Sequence, residues 1–304
     1  MIKPWSISTT VRSPERLRAF LQVLKLQEGE AWDKEAQKKF HIHLIQQRSP
    51  EFLSPQFLSG IGKDLASQMF HPSRVSHEVA EAVFYAKNYK DTTARPKMAI
   101  KPLLRLNLAT FVDGKITITL MGKSLMADEG YSDVWRKCLL KWQLPNSFDS
   151  HVFPHKHGYF IKPFVGILKL VAELNRQCRK SGEEENGISW DELAIFGLTL
   201  VDYRKINSTA REIVHYRKRT DLNHGASVRK NIVSIGKQYR PQYDLRNVGK
   251  LTDNVGEYLR ITDLFRILPG GRYINHEPHR GAEIRYYLDT MSAKPDMSLV
   301  KRPH

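Results

Sequence analysis

Leu104-Arg105-Leu106-Asn107-Leu108-Ala109-Thr110-Phe111-Val112, then Asp113-Gly114, then Lys115-Ile116-Thr117-Ile118-Thr119, reads as a helix end, an apolar strand, a tight turn and a second strand of alternating character. The order returns later in the chain. Leu259-Arg260-Ile261-Thr262-Asp263-Leu264-Phe265-Arg266-Ile267-Leu268 leads through Pro269-Gly270-Gly271 into Arg272-Tyr273-Ile274-Asn275. A helix packed beside such a hairpin, or wing, is the winged-helix module. It is a helix-turn-helix variant that often lays one helix in the major groove of DNA. The expected fold is mainly α with small β-wings, an α+β chain of two tandem winged-helix subdomains.

Composition points the same way. The chain has 304 residues, 41% of them hydrophobic, so two domains of about 150 residues each are expected. Lys plus Arg number 48 against 32 Asp plus Glu, a formal net charge of +16. Such a balance favours a polyanionic partner, because neutralised phosphates release counterions and the field steers the encounter. Cys138 and Cys178 are the only cysteines, too few for a disulfide framework or a zinc knuckle. There is no run of about 18 apolar residues, so no membrane span is expected. Met1-Ile2-Lys3-Pro4-Trp5-Ser6 lacks the apolar stretch of a signal peptide, and a cytoplasmic setting is the expectation.

Along the chain, Trp5–Val11 alternates and reads as an extended arm or short strand. Ser13-Pro14-Glu15 opens a short helix carrying Leu17, Phe20, Leu21 and Leu24. Amphipathic helices are expected near 33–47, 55–69 and 75–87. Pro102 either kinks a helix begun near Pro96 or starts the regular helix itself, with 92–101 as a basic arm. Further helices are expected at 120–126, 134–142, 164–174 and 207–219. Ser189-Trp190-Asp191-Glu192 is a capping box that launches a helix to Leu200. Residues 223–244 read as a basic loop, and a helix of about 246–261 leads into the second wing. The segment 145–163, rich in Pro, His, Phe and Gly, is the boundary candidate. The expected division is 1–145 with the N-terminal arm, 146–291, and 292–304 as the start of a linker to a nuclease domain absent from this chain.

Catalytic chemistry is not visible. A metal-dependent nuclease site needs clustered carboxylates and a lysine. Pro295-Asp296 has too little chain after it, and Asp33-Lys34-Glu35 reads as a solvated helix face. His151, His155 and His157 read as a polar interdomain loop, and His41 and His43 likewise form no metal set. No phosphate loop, nucleophile elbow or dinucleotide fingerprint is present. No catalytic residue, metal ligand or cofactor is assigned to this chain.

Recognition residues are better marked. On the helix before the second wing, Val248, Val255 and Leu259 define a buried stripe, with Leu251 or Tyr258 beside them. The opposite face presents Arg246, Asn247, Lys250, Asp253, Asn254 and Glu257. Arg and Lys donate to guanine, Asn pairs with adenine, and Asp or Glu accepts from cytosine. The plain alternative is a solvated helix face. In the first module Thr93, Arg95, Lys97, Lys101 and Arg105 take the equivalent place, where they could read guanines or grip phosphate. The N-terminal arm adds Ser8, Thr10, Arg12 and Ser13, although Ser13 also suits a helix cap.

Lys3-Pro4-Trp5-Ser6-Ile7-Ser8-Thr9-Thr10-Val11-Arg12-Ser13-Pro14-Glu15-Arg16-Leu17 resembles the start of the AlwI-like type IIS restriction and nicking endonucleases. Phe111–Thr119 followed by Gly122-Lys123, Leu140-Lys141-Trp142-Gln143-Leu144-Pro145 and Leu193–Thr199 resemble further pieces of that family, in the same order. The resemblance implies an N-terminal recognition half of two winged-helix subdomains that reads a short asymmetric site. It also implies a linker, expected to start at 292–304, and beyond it a Mg²⁺-dependent nuclease domain of the PD-(D/E)xK type, expected to lie outside this chain.

The expected function is sequence-specific recognition of double-stranded DNA, by a monomer. The alternative is a free-standing winged-helix transcription regulator. Such regulators usually dimerise on palindromes, whereas two unlike modules on one chain favour an asymmetric site. A third possibility is an intact small nuclease whose metal carboxylates escape recognition.

Overall fold

The computed structural model describes residues 1–8, 13–71, 75–127, 130–219 and 226–300. Its contacts divide the chain into two compact units. One is Ser13–Glu129; the other joins Met1–Arg12 to Gly130–His304.

The unit of residues 13–129 is built on α1 (Pro14–Lys25), α2 (Lys34–Gln46), the short α3 (Pro55–Leu58), α4 (Lys63–Phe70), α5 (His77–Ala86) and α6 (Ala94–Arg105). Proline at the first position of α1 costs no hydrogen bond, and Leu17, Phe20, Leu21 and Leu24 form its buried stripe. Asp33, Ser54 and Ser76 cap α2, α3 and α5 by accepting from backbone N–H groups three residues on. The single helix expected over 55–69 is two helices. Gly62 between them has φ 84°, a left-handed conformation that no helix interior accepts.

Pro96 and Pro102 both lie inside α6, which runs unbroken to Arg105. Pro96 falls in the first turn, where its missing N–H is harmless. Pro102 leaves the Met98 carbonyl without its intrahelical donor. Packing of α6 against α1 and α2 offsets that loss, with Ala99, Ile100 and Leu103 buried. Helix α6 feeds an antiparallel hairpin, β1 (Ala109–Val112) and β2 (Lys115–Ile118), with Val112 opposite Lys115. Asp113 and Gly114 have φ of 50° and 73°, the two positive values of a type I′ turn. The other edge of β2 is covered, as Ile116 N–H donates to Glu30 O at 2.9 Å and Gly29 N–H to Ile116 O at 2.8 Å. Helix α7 (Leu120–Ala127) closes the unit.

The other unit holds α8 (Tyr131–Lys141), α9 (Pro163–Ser181), β3 (Ile188–Ser189), α10 (Trp190–Glu192), α11 (Ile206–Arg219), α12 (Ala226–Tyr239), α13 (Val248–Arg260), β4 (Phe265–Ile267), β5 (Tyr273–His276) and α14 (Gly281–Thr290). Its core lies where α9 packs on α11. The capping box at Ser189 forms as expected, Glu192 bonding back to the Ser189 N–H at 2.8 Å. The helix then widens into a π turn over Leu193–Gly197. Glu192 is buried and paired with Arg217 at 2.8 Å, and Arg217 also donates to Gly187 O at 2.6 Å. The strands form one antiparallel sheet in the order β3-β5-β4.

Four further segments differ from the sequence reading. Residues 1–8 are docked rather than extended as an arm. Trp5 Nε1–H donates to Gly197 O at 3.0 Å, its ring meets Trp142 edge-on at 5.7 Å, and Ile2 bridges to Tyr243. Residues 226–239 of the expected basic loop are the helix α12, held by Tyr239 against Phe196 and Tyr216. Residues 292–296, read as linker, pack on the same unit. Lys162 N–H donates to Ala293 O at 2.7 Å, and Gln143 bonds both the Asp296 N–H and its carbonyl. The boundary segment 145–163 likewise returns to this core, Leu144 pairing with Ile161.

Candidate nucleic-acid interface

In the unit of residues 13–129 the candidate cations lie on α6. Lys97 and Lys101 are exposed and one helical turn apart; Arg105, a further turn on, is half-buried. Arg95 is exposed and lies over the Phe52 ring, 5.5 Å from its centroid. The helix Ala94–Arg105 contains these four cations and no acidic residue. The turn that follows adds an exposed Lys115. Thr93 is already engaged, since its hydroxyl and N–H both donate to Asp91, at 2.7 and 2.8 Å. Those bonds hold the Asp91 carboxyl below its ordinary range. Ser13 donates to the Glu15 carboxylate at the start of α1.

The second set lies on α13, in the other unit. Val248, Leu251, Val255, Tyr258 and Leu259 face inward, and Tyr258 meets Trp135 edge-on at 5.6 Å. Arg246, Lys250, Asp253, Glu257 and Arg260 are exposed, at alternating steps of four and three residues, and form one stripe. Asn247 is exposed just ahead of the helix. Asn254 corrects the sequence reading. It is 1% exposed, because one residue beyond Asp253 the helix has turned it toward the inner row, away from any base edge. Asp244 grips Arg246 through two bonds of 2.8 and 2.6 Å. The guanidinium in turn holds the Asp244 carboxyl down at about 2. Glu257 pairs with Arg260 at 3.2 Å.

The sequence reading did not single out Trp190. Its indole N–H donates to Gly271 O at 2.9 Å in the β4–β5 turn. Its ring also lies against Gly256 of α13, where a Cβ would overlap the ring. One side chain thus ties the helix to the hairpin beside it. An aromatic residue inside a capping box is the only local signal for it; the partners are distant in sequence. Arg266, exposed on β4, and Arg272, stacked over Tyr273 at 5.1 Å, add cations to that hairpin.

Among the arm residues, Ser8 is buried, 5% exposed, as part of the docked N-terminal segment, and this removes it from the candidate surface. Thr10 and Arg12 lie outside the described residues. His151, His155 and His157 are exposed, and among the described residues no three His, Cys, Asp or Glu side chains gather as a metal set would. No helix among the described residues is long and apolar enough to cross a membrane.

The family model for the AlwI restriction endonuclease matches residues 104–302. No curated protein matches the chain. Among solved structures, a similar chain comes from "Crystal structure of pyrene- and phenanthrene-modified DNA in complex with the BpuJ1 endonuclease binding domain". It superposes with a TM-score of 0.51, at 13% identity, over 92% of this chain and 82% of that one. At that identity the likeness concerns the fold.

Proposed function

Because the chain belongs to the AlwI restriction endonuclease family, we propose that these residues recognise double-stranded DNA for a type IIS enzyme, reading a short asymmetric site. One observation carries the reading. Two helices, each followed by an antiparallel hairpin, present different polar faces: α6 is purely cationic, whereas the α13 stripe mixes both signs. Cations without acids suit phosphates; a mixed donor and acceptor set suits base edges. We read α6–β1–β2 and α13–β4–β5 as tandem winged-helix subdomains. In the second, the strand before the helices lies beside the last strand of the hairpin, as the sheet order β3-β5-β4 records. The neighbour of similar fold, described as an endonuclease binding domain in complex with DNA, supports the same reading.

Two unlike reading faces on one chain suit a monomer on a non-palindromic site. Cleavage is not assigned to these residues, and Mg²⁺ is placed with the part of the enzyme that cuts. The test is selection of bound duplexes from a random pool, followed by sequencing. Enrichment of one short non-palindromic motif is expected. An enriched palindrome bound by two copies would favour a transcription regulator, and a pool left unenriched would overturn DNA reading altogether.

A further inference from the structure

The stripe on α13 is not uniform, and its internal pairing separates its members. Asp244 holds Arg246 through two bonds, and Glu257 holds Arg260. Between these pairs, the side chains of Lys250 and Asp253 are exposed and make no hydrogen bond or ion pair among the described residues. They stand three residues apart on one face, where Cβ atoms are about 5–6 Å from each other. That span covers fewer than two base-pair steps of roughly 3.4 Å. A lysine has donors only, and an ionised aspartate has acceptors only.

The aspartate is the more telling of the two. A carboxylate at the centre of a face turned toward DNA is repelled by phosphates, and by the two acceptors on the major-groove edge of guanine. It is satisfied only by an exocyclic amino group, that of cytosine N4 or adenine N6. Resting on the DNA-reading proposal above, we infer that Asp253 is a specificity-determining residue. It accepts from the exocyclic amino group of a cytosine or adenine at one position, and it penalises duplexes lacking that group there. Lys250, beside it, supplies the attraction that keeps the carboxylate at the groove.

D253N separates this role from a structural one, because the side chain is exposed and the change preserves its shape. Binding is measured by fluorescence anisotropy with the full chain. The probes are its selected duplex, all single-base variants of that duplex, and a scrambled duplex. D253N is expected to bind the scrambled duplex more tightly than the wild type does. It is also expected to lose about ten-fold discrimination at a single base pair, keeping it elsewhere. K250M is expected to weaken both duplexes, so the neighbouring changes act with opposite sign on scrambled DNA. If D253N keeps every base preference, or weakens selected and scrambled duplexes alike, the assignment of Asp253 is overturned while DNA reading stands. A wild-type chain that prefers no duplex overturns the reading beneath both.

Discussion

His41 lies against the rings of Phe84 and Tyr89, with centroids 5.1 and 4.8 Å away. Burial lowers its imidazole from 6.5 to about 4, with the Arg95 guanidinium acting in the same direction. The unfolded chain therefore takes up the proton first, and stability falls as pH drops from about 6.5 toward 4. The shift corresponds to about 3 kcal/mol across that window. Urea unfolding at a series of pH values should show this acid limb, and H41Q should make it shallower whatever its stability at pH 7, with His276, also lowered to about 4 by burial, supplying part of what remains. An unchanged slope in H41Q would mean that other groups carry the acid sensitivity. The glycines of α13 give a matched pair at the same scale. Gly256 faces the Trp190 ring without room for a Cβ, whereas Gly249 has nothing within 4 Å. G256A is expected to cost about 1–3 kcal/mol through overpacking. G249A should gain up to about 1 kcal/mol from helix propensity. Denaturant midpoints of the two variants read the difference directly, and equal shifts would contradict the close approach of Trp190.

At the scale of the element, the proposed function divides the work between helices α6 and α13. Replacing Lys97 and Lys101 of α6 with Ala is expected to weaken selected and scrambled duplexes by the same factor, because phosphate contacts carry no sequence information. Competition binding decides this, and a loss confined to the selected duplex would make α6 a base reader. Both hairpins were legible in the sequence, since their turns are local chemistry: Asp113-Gly114 and Gly270-Gly271 all take positive φ. The alternating three- and four-residue spacing of the α13 stripe was legible for the same reason, as period alone sets the face. Asn254 escaped because it sits at the border of that face, where packing rather than period decides burial. Helix α12 escaped because Arg229, Lys230, Asn231, Lys237 and Gln238 dilute its apolar row. Tyr239 anchors it to Phe196 and Tyr216, contacts invisible to a short window. The docking of Trp5 was hidden likewise, because its acceptor is the Gly197 carbonyl at the end of a π turn. Even α6 ran through Pro102 only because its inner face buries Ala99, Ile100 and Leu103.

For the whole molecule, the question is how much of the +16 charge is used on DNA. Many of its cations are spent internally: Arg217 on Glu192, Arg204 on Asp202, Arg179 on Glu185, Arg176 on Glu173. Such pairs already cancel within the net charge, so it is the gross count of 48 Lys and Arg that overstates the footprint. The cations of α6, Lys115 and those of the second hairpin are the better count. If about six of these contact phosphates, the logarithm of the binding constant falls with the logarithm of salt concentration at a slope near −5. Replacing both Lys97 and Lys101 should then flatten the slope by about 2, whereas D253N should leave it nearly unchanged. Titration of the selected duplex between about 50 and 200 mM salt provides both slopes. A wild-type slope near zero would show that the basic surface is not the DNA footprint. A slope near −5 that survives loss of both lysines would move the phosphate contacts from α6 to other cations.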